Sequence, residues 1–125
     1  RGMKEKCIKR LCQIRDLQRA VYLFELQFEK KYGISLNEGM VLCSLSKTAS
    51  LSSGELGELL GLSSSNTSKV ICSVEKKGYV ERVVGTKDKR NMYFSLTASG
   101  RDLLDNVSDE TVEMPDSLRA LFTGE

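Results

Sequence analysis

The 125-residue sequence has no histidine and a single proline, and its four cysteines, at positions 7, 12, 43 and 72, form no CxxC pair. Without histidine, zinc sites and His-based proton transfer lose their commonest participant. Cysteines so spaced point to reduced thiols rather than a disulfide framework, and no metal or cofactor is expected. The longest apolar runs, such as Val21 to Phe24, fall far short of the roughly 20 residues that cross a bilayer. Arg1 and Gly2 precede Met3, which looks like a natural start with no secretory segment behind it, so a cytoplasmic location is expected. No nucleophile-base pair or pair of carboxylates stands out, and an enzyme is not expected. Internal repeats and low-complexity segments are also missing.

What is present is an uneven charge. The net charge is only +2, yet residues 1–51 hold ten Lys/Arg against five Asp/Glu, residues 52–97 seven against five, and residues 98–125 two against seven. An acidic tail masks a basic body, which suggests that the body meets an anionic partner while the tail faces elsewhere. The length and the 40% hydrophobic content fit one domain with one core.

Apolar residues at Cys7, Leu11, Ile14, Leu17, Val21, Phe24 and Phe28 recur every three or four positions, predicting a long amphipathic helix that closes near Tyr32-Gly33. Ser35 with Glu38, and Ser52 with Glu55, read as capping boxes opening a second and a third helix, the third broken at Gly61. Ser63 caps a fourth, whose inward stripe is Thr67, Val70, Ile71 and Val74 and which ends at Lys76-Lys77-Gly78. Residues 79–84 and 92–96 form a hairpin with a polar tip at Gly85 to Asn91, and Thr97 caps a helix bearing Leu103, Leu104 and Val107. Beyond Pro115, Leu118, Leu121 and Phe122 allow one or two further helical turns.

Helix, helix, glycine turn, helix and basic-tipped hairpin is the winged helix-turn-helix order, a mainly α fold with a small β-hairpin wing (α+β). Gly61 supplies the turn, Leu62 plugs the corner and Gly57 lets two helices cross closely. The outward face of the fourth helix carries Ser64, Ser65, Asn66, Ser68, Lys69 and Ser73, short hydrogen-bonding groups suited to base edges and phosphates. On the wing, Lys87, Lys89 and Arg90 can reach backbone or minor groove, with Asp88 holding Arg90 or a neighbouring helix in place.

The stretch from Leu51 to Gly100 resembles the DNA-binding lobe of the MarR family of bacterial regulators. The matching residues are Glu55-Leu56-Gly57-Glu58, Leu60-Gly61-Leu62, Val74-Glu75-Lys76-Lys77-Gly78-Tyr79-Val80-Glu81-Arg82, Asp88-Lys89-Arg90 and Ser95-Leu96-Thr97-Ala98-Ser99-Gly100. The resemblance implies a homodimer whose first and last helices interlock, a near-palindromic double-stranded DNA operator, and a small ligand or oxidant that weakens binding. On that basis residues 3–125 form a single winged-helix domain, with 35–97 as DNA-binding lobe and 3–32 with 98–125 as helical dimerisation region. The function expected is a sequence-specific DNA-binding transcriptional regulator, a homodimeric repressor released by a small ligand.

Two alternatives stay open. The sparse charge of residues 64–73 suits a winged-helix protein-interaction module. Cys7 and Cys12 in the first helix suit a thiol-based redox-sensing regulator, although Cys7 falls on the apolar stripe and Cys43 among apolar residues, neither with the basic, exposed setting that activates a thiolate. Cys72 lies near the outward edge of the fourth helix. Tyr22, Phe24, Phe28 and Tyr32 suit core or dimer packing better than a ligand pocket.

Overall fold

The computed structural model describes residues 2–84, 92–107 and 116–120, with side chains from Ile8 onward except Ser117. The elements run α1 (Gly2–Tyr32), α2 (Leu36–Lys47), β1 (Leu51–Ser52), α3 (Ser53–Leu60), α4 (Ser64–Lys76), β2 (Val80–Val84), β3 (Met92–Leu96), α5 (Ala98–Asn106) and α6 (Asp116–Arg119). They fall into two compact units, Ile34–Val107 and Arg1–Gly33 with Ser108–Glu125.

Within Ile34–Val107 the helix starts are set locally. Ser35 caps α2, its hydroxyl accepting from the Glu38 amide at 3.1 Å while the Glu38 carboxylate accepts from the Ser35 amide at 2.7 Å. Ser52 and Glu55 repeat the box on α3, at 3.2 and 3.0 Å. Gly61 closes α3 in the left-handed region at φ 69°, which a side chain would resist. The core is built from Val41, Leu42 and Leu45 of α2, Leu56 of α3, Ile71 and Val74 of α4, Val80 of β2 and Phe94 of β3.

The sheet is antiparallel in the order β1-β3-β2, with Arg82 opposite Phe94 in the hairpin. The sequence predicts only the hairpin; β1 is two residues long, too short for any alternation to show, and exists because Leu51 pairs with Phe94. Helix α5, grouped with the C-terminal region in the sequence prediction, packs on α2 and β3 inside the lobe. Its start is pinned twice, by Thr97 Oγ1 donating to the Gly78 carbonyl at 2.7 Å and by the Thr97 amide donating to the Tyr79 carbonyl at 3.1 Å. Gly100 lies so close that a Cβ there would overlap the Tyr79 carbonyl.

In the other unit α1 is a 31-residue helix, about 46 Å long at the usual rise per residue, against which α6 packs. Phe24, Phe28 and Tyr32 form a ladder along it, ring centroids 6.1 and 5.0 Å apart. Much of its apolar stripe is uncovered: Leu11 is 66% exposed and Ile14 52%. No described helix is long and apolar enough to cross a membrane.

Candidate nucleic-acid interface

Helix α4 has two faces because apolar residues recur at the helical period. Thr67, Ile71 and Val74, spaced four and three apart, are buried, so Ser64, Ser65, Asn66, Ser68, Lys69, Cys72 and Lys76 are left exposed on the other side. Ser63 caps the helix by accepting from the Asn66 amide at 3.1 Å. Thr67 is placed by a close crossing: a Cβ on Gly57 of α3 would stand 2.7 Å from Thr67 Oγ1, and that hydroxyl donates to the Ser63 carbonyl at 2.7 Å. A small β-branched residue with a satisfied hydroxyl therefore fits where a longer aliphatic chain would have to displace α3.

Five of the six residues predicted for the outward face of α4 share that exposed side. Ser73 stands at its edge, half-buried, and its hydroxyl helps to hold the Glu38 carboxylate in its charged form. The outward face also carries Cys72 and Lys76, which with Ser68, Lys69 and the half-buried Ser73 border a shallow open depression of about 400 Å³. Lys76 was legible in principle, being seven residues, two turns, beyond Lys69.

Two ion pairs that the sequence does not announce tie down the far end of α4. Lys77 Nζ donates to Glu38 Oε1 at 2.9 Å, and Glu38 is only 3% exposed. Burial alone would raise the Glu38 pKa, but the hydrogen bonds from the Ser35 amide and Lys77, the nearby Ser73 hydroxyl and the Lys77 charge lower it below its ordinary 4.5. On the other flank Arg82 of β2 forms a two-pronged pair with Glu75 of α4, at 2.8 and 3.2 Å, and its guanidinium stands 5.9 Å from the Phe94 ring centroid. The hydrogen bonds and charge of Glu75 raise the Arg82 pKa. Helix and wing are thereby joined at the base of the hairpin.

Lys87, Asp88, Lys89 and Arg90, predicted for the wing, lie outside the described residues, as does the side chain of Cys7. Cys12 is half-buried. Cys43 is a correction: apolar sequence neighbours suggested a buried thiol, but it is exposed, because the helical period turns it away from Val41, Leu42 and Leu45. With Met40, Lys47, Leu59 and Leu60 it lines a cleft of about 380 Å³ between α2 and α3.

Three stacked helices, a glycine turn and a strand pair following an outward-facing polar helix define a winged helix-turn-helix protein. Residues 34–92, most of the lobe, match the model of the MarR family. A relative is the HTH-type transcriptional regulator SarZ of Staphylococcus epidermidis, 34% identical over 80 residues, which cover 64% of this chain and 54% of that protein. The chain thus spans about half the length of the curated relatives it matches. Among solved structures, the transcriptional regulator BldR of Sulfolobus solfataricus shares 21% identity and a TM-score of 0.72, covering 97% of this chain and 81% of that one. A cysteine-to-serine mutant of MarR from E. coli, complexed with operator DNA, shares 23% and a TM-score of 0.65, covering 78% of this chain and 69% of that one. At these identities the likeness is one of fold. SarZ and BldR are both named as transcriptional regulators.

Proposed function

We propose that the protein is a sequence-specific double-stranded DNA-binding transcriptional regulator, acting in the cytoplasm as a homodimeric repressor on a near-palindromic operator. The observation that carries this reading is the exposed polar face of α4: Ser64, Ser65, Asn66, Ser68 and Lys69 point away from the core on a helix with a capped start. Short hydroxyls and an amide approach base edges closely, and lysines meet phosphate or guanine. The sequence joining β2 to β3 carries Lys87, Lys89 and Arg90 with Asp88, cations suited to phosphate, and the base of that hairpin is held to α4 by Arg82 and Glu75. The fold shared with a MarR protein crystallised in complex with operator DNA supports a DNA-binding role.

The uncovered stripe of α1 supports self-association, since Ile8, Leu11 and Ile14 are 53%, 66% and 52% exposed on one helix. A small effector that releases the DNA has room in the cleft between α2 and α3.

The test is titration of labelled duplex, enriched by the protein from a random-sequence pool, at two salt concentrations. Specific binding should be tight and strongly salt-dependent, because phosphate contacts release counterions. Lys69→Ala together with Arg90→Ala should weaken it at least about tenfold. Salt-independent or absent binding in the unaltered protein would favour the protein-interaction module instead.

A further inference from the structure

The two capping boxes of the lobe form an internal control. Glu55 caps α3 at Ser52 while remaining exposed, so capping alone does not require a buried acid. Glu38 performs the same task at Ser35 but is 3% exposed, a costly place for a charge unless another charge meets it. Its partner is Lys77, 39 residues away, which is the C-cap of α4. Glu38 Oε1 takes both the Ser35 amide at 2.7 Å and the Lys77 ammonium at 2.9 Å, while Oε2 is buried with no partner in hydrogen-bond geometry among the described residues. What burial adds to the cap is a reach across to the end of the outward-facing helix.

That end has leverage. Near its start α4 is seated where Thr67 meets Gly57, and from Thr67 to Lys76 the helix runs on for about 14 Å. A tilt of about 5° about that seat displaces the last turn by about 1 Å, more than the spread of a good hydrogen bond length. Lys69, Cys72 and Lys76, on the exposed face, would move with it.

Building on the DNA-binding role proposed above, we infer that Glu38 is a positioning residue for that function: through Lys77 it fixes the pitch of α4 and so sets how sharply one DNA sequence is told from another. Glu38 touches no DNA. It acts by holding the helix that does.

The experiment is a double-mutant cycle of Glu38→Gln and Lys77→Met, with Lys77→Arg as the conservative variant. Glutamine keeps an acceptor for the Ser35 amide and removes only the charge, and all measurements are made well below each variant's unfolding midpoint. Affinity is read for the enriched duplex and for a scrambled duplex of equal length. Glu38→Gln should lower the ratio of the two by about tenfold and leave scrambled-duplex affinity and its salt slope unchanged. Lys77→Met should do likewise, the double variant should be no worse than either single, and Lys77→Arg should keep the original ratio.

Additive single effects would assign Lys77 its own phosphate contact and overturn the inference. So would an unchanged ratio accompanied only by a lower unfolding midpoint. Hydrogen exchange of amides 73–77 without DNA provides a separate arm: faster exchange there in Glu38→Gln supports the clamp, and unchanged exchange removes it. If the unaltered protein prefers no duplex, the proposed function fails, and the inference fails with it even where the exchange arm is positive.

Discussion

The lobe and the first helix are both built on apolar residues at helical spacing, yet they use them differently. In the lobe Val41, Leu42, Leu56 and Val74 are wholly buried, each helix meeting another within about 75 residues of chain. In α1 the same period leaves Leu11 and Ile14 more than half exposed over a helix of 31 residues. Amphipathic patterning therefore states which face wants cover, not whether the same chain supplies it. The lobe closes on itself; α1 offers a surface, and the homodimer proposed above is what would cover it.

The sharpest way to break that contrast is to remove matching methyl groups from each region. Leu42→Ala should cost the lobe about 3 kcal/mol, from lost transfer energy and the cavity left behind, read by urea unfolding. A cost below about 1 kcal/mol would mean that the lobe core is far looser than its burial indicates.

A smaller effect should come from acid. The Glu38 pKa is lowered below 4.5, so its stabilising contribution is complete above the unfolded value and is lost as pH falls from about 4.5 through the folded value. The unfolding midpoint followed through that window should fall less steeply in Glu38→Gln than in the unaltered protein. Parallel slopes would show that the carboxylate contributes nothing specific.

The smallest effect on unfolding should come from α1. Leu11→Ala and Ile14→Ala should each change the stability of the isolated chain by less than about 0.5 kcal/mol, since little apolar area is withdrawn from water. In sedimentation velocity the pair should nevertheless shift the protein towards monomer at a concentration where the unaltered chain associates. If association is unaffected, the exposed stripe is not the contact between copies.

Much was legible in the sequence because it is decided within one turn of chain. Ser35 with Glu38 and Ser52 with Glu55 each complete a cap with their own neighbours, Gly61 can take φ 69° without a side chain to resist it, and the stripe Thr67, Ile71, Val74 fixes which side of α4 is free. The winged helix-turn-helix order and most of the outward face follow from these. The rest depends on pairs far apart in the chain. Ser73 is half-buried beside Glu38, Cys43 stands exposed at the cleft that Leu59 and Leu60 of α3 border, and β1 exists because Leu51 finds Phe94. The joins from Lys77 to Glu38 and from Arg82 to Glu75 have the same origin, for a charge in a sequence names its sign but not its partner. Local hydrogen bonds wrote the elements, and long-range burial and charge pairing decided how the reading helix is held.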